Sequence, residues 1–528
     1  MAYKALLLDG VDAICGEILK NRGFEVTEAS GLAEEDLLET IGDYHTMVVR
    51  SATKVTPKLL AKARNMQVVG RAGVGVDNID LDAATRSGVL VMNTPDGNTI
   101  STAEHTCGLI LALSRNIPAA VASLKEGRWD RKKYMGTEVH GKTLGVIGLG
   151  KIGSSVAARM KAFGMTVIGF DPFTTHERAA EMGVEMMEVD DILARADYLT
   201  VHTPLTAQTR GLISKKSASK IKRGMWLINC ARGGIFEEAD LPAMLDDGTI
   251  AGVALDVYSQ EPPSKEILEL LKHPNILCTP HLGASTQEAQ GKVAEQIATQ
   301  IADAIEHKGF AGSLNGKSIA LSTNKEVQPF LELAERFGHL LSQIAPKHIQ
   351  KLSVSYSGTC ADHAQVLTDS LLSGFMKGSV DEVVNLINAR FHAESRGLKI
   401  TETQSRDKQT YSDLITVDLG PDAEYRKLSA TPFGEGDYRI VSIDGFSIEI
   451  HLEGEIIIYR NIDQPGMLAA TSGALAKRDI NIASLSLGRD LKNKQAITAF
   501  TVDTKLDQKD LEYIDQIDGV NVVKYASL

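Results

Sequence analysis

Cysteine is scarce in this chain of 528 residues. There are five, Cys15, Cys107, Cys230, Cys278 and Cys360, odd in number, widely spaced and never in a CxxC pair. This excludes a disulfide scaffold and a cysteine-type zinc site, and it suits free thiols in a reducing, cytoplasmic setting. No metal site is expected. Long apolar runs are missing too: none approaches the ~18–20 residues that span a bilayer, and charges interrupt any signal-like core in residues 1–30. An excess of positive charge is also lacking. With 56 Lys and Arg against 68 Asp and Glu the net charge is −12, a field that disfavours nucleic acid and anionic membranes as partners. The composition is otherwise ordinary, 43% hydrophobic and 23% charged, and the length suits roughly three to five domains at ~100–200 residues each.

The first third alternates short aliphatic strands (4–8, 47–49, 67–69, 89–92) with amphipathic segments such as 34–41 and 57–63. That is the rhythm of a parallel sheet with helices on its faces. It restarts with strands over 143–147, 166–170, 198–201, 226–228, 250–254 and 276–279. Two α/β domains of Rossmann-like or flavodoxin-like type are therefore expected in series, joined by a helix over 102–114 and separated by a cleft. A long amphipathic helix over 286–307, opened by a Ser285/Glu288 capping box, would cross back to close the first domain. The expected division is 1–98 with 286–317, then 99–285, 318–452 and 453–528. Residues 318–452 mix helices (327–344, 381–394) with strands (351–356, 414–419, 438–443, 446–452), an α+β arrangement without a phosphate loop. Residues 453–528 read strand, helix, strand, strand, helix, strand (455–460, 466–477, 481–488, 496–502, 509–514, 520–525), the ferredoxin-like order.

Gly148-Leu-Gly-Lys-Ile-Gly153 is a GxGxxG placed directly after a buried strand and at the start of an amphipathic helix. Gly148 permits the turn, Gly150 lets backbone approach a pyrophosphate, and Gly153 lets helix and strand pack closely, so the helix N-terminus faces the anion. Asp171 ends the following strand ~20 residues on, where a carboxylate accepts the ribose hydroxyls and repels a 2′-phosphate; this favours NAD over NADP. Later strand ends add Thr203-Pro204, Cys230-Ala231-Arg232, Asp256 and Gly283-Ala284. Each can line the same ligand or serve ordinary turn chemistry.

Arg232, Glu261 and His281 lie just past consecutive strands of the second sheet. Oxidising a secondary alcohol by hydride transfer needs a base for the hydroxyl proton, and histidine suits that near neutral pH. Glu261 is the carboxylate that would orient the imidazole and stabilise its charged form. Arg232 can hold a substrate carboxylate in its planar fork. Singly, each also reads as a surface charge or a structural histidine.

The segments Gly-Leu-Gly-Lys-Ile-Gly, Asn-Cys-Ala-Arg-Gly-Gly, Asp-Val-Tyr-Ser-Gln-Glu-Pro-Pro and Thr-Pro-His-Leu-Gly-Ala-Ser-Thr resemble the signatures of the D-isomer-specific 2-hydroxyacid dehydrogenases. Residues 71–80 (Arg-Ala-Gly-Val-Gly-Val-Asp-Asn-Ile-Asp) and 127–138 narrow the likeness to the long-form branch that acts on 3-phosphoglycerate. That form carries an intervening domain and a terminal ACT domain, and the likeness covers essentially the whole chain. The resemblance implies Arg232, Glu261 and His281 as the catalytic residues. It also implies an NAD site lined by Lys151, Ile152, Asp171, Thr203, Cys230 to Arg232, Asp256 and His281 to Ala284. The implied reaction is 3-phosphoglycerate plus NAD⁺ giving 3-phosphohydroxypyruvate, the first step of phosphorylated serine synthesis.

A phosphorylated acid needs further cations. Arg50 and Arg71 end successive strands, and with Ser51, Gly73 and nearby amides they can hold phosphate or carboxylate. Arg131 and Lys132 form a second basic cluster, either reaching a neighbouring subunit's cleft or simply solvated. In the ACT-like unit, Asp463 and Asn481 are candidate contacts for an amino-acid effector, L-serine, at a paired-sheet interface; their plain reading is turn and cap. A homo-oligomer, a tetramer, is expected. Two other readings stay open: a dehydrogenase of glycerate or hydroxypyruvate, and a non-catalytic NAD-sensing interaction protein.

Overall fold

Four sheets follow one another along the chain in this computed structural model, which describes residues 2–316, 319–346, 349–377, 384–407 and 410–528. The first contains β1 (Lys4–Leu7), β2 (Glu25–Glu28), β3 (Thr46–Val49), β4 (Val68–Arg71) and β5 (Leu90–Asn93). They are parallel in the order β2-β1-β3-β4-β5, the flavodoxin-like order. Strands β3 and β5 are wholly buried and mostly apolar, whereas β2 is a largely exposed edge that hydrophobic patterning does not mark.

The second sheet holds β6 (Thr143–Ile147), β7 (Thr166–Phe170), β8 (Glu185–Met186), β9 (Tyr198–Val201), β10 (Met225–Asn229), β11 (Ile250–Leu255) and β12 (Ile276–Cys278). Its order is β12-β11-β10-β9-β6-β7-β8, all parallel. The order reverses at β6, between β7 and β9. That switch point is where open α/β sheets bind ligands, beyond the carboxyl ends of their strands.

Two helices cross between these sheets. The helix Thr99–Ser114 buries Ala103, Cys107 and Ile110 against Val146, Ile228 and Ala254 of the second sheet. The helix Gln287–Ile305 returns and buries Val293, Ile297 and Ile301 against Ala5, Val48 and Val68 of the first. Its start departs from the expected Ser285/Glu288 box. Ser285 closes a turn onto the Leu282 carbonyl, and Thr286 is the N-cap, its hydroxyl accepting from the Ala289 amide at 3.1 Å. Thr286→Ala is therefore expected to cost about 1 kcal/mol and Ser285→Ala much less, a difference that thermal unfolding of the two variants would read. No single helix among the described residues is long and apolar enough to cross a membrane.

The third sheet comprises β13 (Lys351–Ser357), β14 (Lys399–Ser405), β15 (Leu414–Asp418), β16 (Lys427–Gly434), β17 (Asp437–Ile443) and β18 (Phe446–His451). It is antiparallel apart from the β13–β14 pair. A helix at Ala364–Met376 has no counterpart in the sequence reading. It is buried on nearly every face, so it shows no amphipathic stripe. The helix expected over 381–394 instead runs Ala389–Ser395. Before it the Asn388 side chain accepts from the Asn385 amide at 2.8 Å and makes a turn; residues 381–383 lie outside the described residues, as does the boundary expected at 317/318.

The last sheet, β19 (Glu455–Ile462), β20 (Ile482–Asp490), β21 (Gln495–Val502) and β22 (Val520–Ser527), runs β20-β21-β19-β22, antiparallel throughout. Helices Met467–Ala476 and Gln508–Asp515 complete the ferredoxin-like order. Its Ile456, Ile458, Ile497 and Ala499 share one core with the third sheet. The Gln343 side chain also exchanges two 2.9 Å hydrogen bonds with the Ser527 backbone on edge strand β22.

Candidate active site

The glycine turn is built as its spacing implies. Gly148 has φ +95°, and a Cβ there would lie 2.5 Å from the His202 carbonyl oxygen; one at Gly153 would lie 1.9 Å from that of Gly148. Nothing stands within 4 Å of a Cβ at Gly150, the N-cap of the helix Lys151–Ala162, so the space above the helix N-terminus is open. Asp171 is fixed beside the turn by the Leu149 and Phe173 amides, each at 2.8 Å. The Thr203 hydroxyl and Asn98 Oδ1 are buried and unpartnered. An open helix terminus, a fixed acid and an orphaned hydroxyl fit a dinucleotide.

Other residues of this half have intramolecular partners. The Lys151 ammonium pairs with Asp96 of the first lobe, and Ile152 packs partly buried on the second sheet's core. Ala231 accepts from Arg232 Nη1 at 2.7 Å. Burial raises the Cys230 thiol to about 12, which rules it out as a thiolate near neutral pH. Asp256 is fully buried; its oxygens accept from Thr279 Oγ1 and the Leu282 and Gly283 amides at 2.6–2.8 Å.

Arg232, Glu261 and His281 leave the carboxyl ends of β10, β11 and β12. Gly233 lets the first two loops meet, since a Cβ there would lie 1.9 Å from the Tyr258 carbonyl. Glu261 is oriented by the Tyr258 amide on Oε1 at 3.1 Å, and its Oε2 lies 2.6 Å from His281 Nδ1. Nδ1–H therefore donates to the carboxylate, leaving the Nε2 lone pair free. That hydrogen bond raises the His281 pKa above its ordinary 6.5, against opposing contributions from burial and from the Arg232 charge. His202, by contrast, is lowered to about 4 by burial alone.

His281 and Glu261 line a cavity of about 660 Å³ between the lobes, shared with Arg50, Arg71, Lys54 and Gln290. Ser51, Gly73 and Ala284 line it as well. Arg71 Nε is buried with no hydrogen-bond partner. Burial first, then repulsion from Arg232 and Arg50, lowers its pKa to about 10. Concentrated positive charge with an unsatisfied donor suits an anion. Arg232, held by Asp77 at 3.0 Å, is not among the residues lining this cavity but lies near enough for its charge to act on Arg71 and His281.

Asp9 orders the cationic loop. It accepts from the Arg50 amide at 2.8 Å and from Thr53 at 2.6 and 3.0 Å. Asp9, Lys54 and Asp77 are not singled out by the sequence; an Asp-Gly just past β1 and the place of Asp77 within the 71–80 stretch are the signals it offers for two of them. Arg131 and Lys132 are exposed and stand outside the cavity lining. In the terminal unit Asp463 pairs with Arg489 at 2.9 Å, and Asn481 donates to Asp503 at 2.6 Å; among the described residues no hydrogen bond or ion pair joins the two.

This fold and constellation define an NAD-binding dehydrogenase of the D-isomer-specific 2-hydroxyacid class. The family model "D-isomer specific 2-hydroxyacid dehydrogenase, NAD binding domain" matches residues 107–283. The "D-3-phosphoglycerate dehydrogenase intervening domain" matches 326–444 and the "ACT domain" 454–519. The chain is 40% identical over 512 residues to the D-3-phosphoglycerate dehydrogenase of Bacillus subtilis, covering 97% of each chain, and 39% identical over 493 residues to that of Homo sapiens, covering 91% of each. It belongs to the D-3-phosphoglycerate dehydrogenase family. Among solved structures it resembles a D-lactate dehydrogenase from Aquifex aeolicus complexed with NAD and lactic acid, at 26% identity and TM-score 0.52, over 58% of this chain and 96% of that one. A glyoxylate reductase from Paecilomyes thermophila gives 29% and 0.54, over 60% and 99%.

Proposed function

We propose that this protein oxidises D-3-phosphoglycerate to 3-phosphohydroxypyruvate with NAD⁺, as the first step of phosphorylated L-serine synthesis. The observation that carries the reading is the His281–Glu261 pair at 2.6 Å, in one cavity with Arg50 and Arg71. NAD, when bound, supplies the hydride acceptor. His281 Nε2 takes the 2-hydroxyl proton as the C2 hydride leaves, and Glu261 carries the countercharge of the imidazolium. Arg232 holds the carboxylate and polarises the C2 oxygen. Arg50 and Arg71, with Ser51 and the Gly73 region, hold the phosphate, and Lys54 adds charge beside them. Asp171 takes the adenosine ribose, while Gly148 to Gly153 and Thr203 take the pyrophosphate side. Residues 1–98 with 286–317 act as the substrate domain and 99–285 as the NAD domain, followed by an intervening domain and an ACT effector domain.

Oxidation requires neutral His281. Its pKa is raised, so the forward rate rises with pH through a value above 6.5 and the reverse reduction fades there. Glu261→Gln removes the principal raising contact, and the low-pH limb of kcat/KM is expected to move downward. A limb that stays in place contradicts the pairing.

The enzyme acts in the cytoplasm as a homotetramer, with Arg131 and Lys132 reaching a neighbouring subunit's cleft. L-serine binds the ACT unit by displacing Arg489 from Asp463. Serine titration should inhibit wild type and spare Asp463→Ala; full activity at saturating serine rejects that role. Comparing kcat/KM for 3-phosphoglycerate and glycerate tests the substrate. A preference for glycerate favours the unphosphorylated acid, and no NADH from either favours an NAD-sensing interaction protein.

A further inference from the structure

The helix Thr99–Ser114 grips the loop that presents His281 at successive points. Ser101 Oγ lies 2.8 Å from Thr286 Oγ1, and Thr102 Oγ1 donates to the Gly283 carbonyl at 3.1 Å. His105 Nε2 lies 3.2 Å from both Thr279 Oγ1 and Asp256 Oδ1. Residues 101 and 105 stack one turn apart, and 102 flanks them. The row begins just after the chain leaves the first lobe and meets, at Thr286, the residue from which it returns. Both crossings between the lobes therefore touch the catalytic loop.

Asp256 is the hub of this joint. Among the described residues, three of the four groups on its carboxylate come from the loop itself; His105 supplies the one from the crossing helix. A fully buried carboxylate is costly to leave short of donors, so the imidazole ties loop and helix together. His281 itself has φ +56°, a backbone region a histidine keeps when its surroundings hold it there. The same grouping offers a metal-like set, with His105, Cys230 and Asp256 ligand atoms within 4.8 Å of one another. However, the Asp256 oxygens are taken by the loop and the Cys230 thiol stays protonated, so hydrogen bonding accounts for the cluster.

We propose that His105 is a positioning residue, which clamps the 279–283 loop through Asp256 and Thr279 and so sets where His281 meets the substrate hydroxyl. The proposal rests on His281 as the proton acceptor. Its structural half is tested without turnover, by hydrogen exchange of the Leu282 and Gly283 amides in the full-length chain. His105→Leu is expected to speed that exchange about tenfold and to lower kcat about tenfold with little change in KM for NAD, less than the ~10² of a 1 Å misplacement. His105→Gln keeps an N–H for Asp256 and is expected to restore most of both. Thr279→Val serves where His105→Leu fails to fold, with the same expected effects. Wild-type exchange and kcat in the leucine or valine variant overturn the clamp. Loosened exchange in a chain that oxidises neither acid leaves the clamp standing and overturns the enzymatic reading instead.

Discussion

His281→Ala is expected to lower kcat for NADH formation by at least ~10², the ordinary contribution of a positioned general base. The drop should appear at saturating NAD, because the glycine turn and Asp171, proposed to hold the dinucleotide, lie on other strand ends. Among the described residues the imidazole's ionic partner is Glu261, at 2.6 Å on Nδ1, and no hydrogen bond engages Nε2. His202 cannot substitute: it is partly buried, its carbonyl lies against the glycine turn, and desolvation lowers its pKa to about 4. Rates within threefold of wild type (a ~0.7 kcal/mol change in barrier) would remove His281 from the chemistry.

Arg232→Met is expected to cost ~10²–10³ in kcat/KM for 3-phosphoglycerate, in the range seen when one preorganised donor to developing charge is removed. Asp77 and the Ala231 carbonyl hold the guanidinium in one orientation, so its remaining donors are aimed without further ordering. Arg232→Lys should recover little, since a lysine keeps the charge and loses the planar fork. Steady-state kinetics at saturating NAD distinguish the two variants. Lysine activity near wild type would reduce Arg232 to a source of field.

Much of this was legible in the sequence because strands buried on both faces are written as unbroken aliphatic runs, and parallel sheets put their chemistry at the ends of those runs. The glycine turn, Asp171, Arg232, Glu261 and His281 all sit at such ends. The groups that escaped act across elements distant in sequence. His105 matters because helix Thr99–Ser114 lies against the 279–283 loop, and Asp77 because the first lobe reaches Arg232; no local spacing encodes either. The helix Ala364–Met376 is too uniformly buried to show a stripe, and β2 and β14 are polar edge strands. The cap moved from Ser285 to Thr286 because the preceding turn took Ser285, a one-residue choice made by tertiary contact.

The most direct test is a crystal structure with NAD and 3-phosphoglycerate bound. The account predicts His281 Nε2 within ~2.6–3.2 Å of the substrate 2-hydroxyl, the Arg232 fork on its carboxylate and the phosphate among Arg50, Arg71 and Lys54. A substrate seated away from His281, or a nicotinamide ring separated from it by protein, would contradict it.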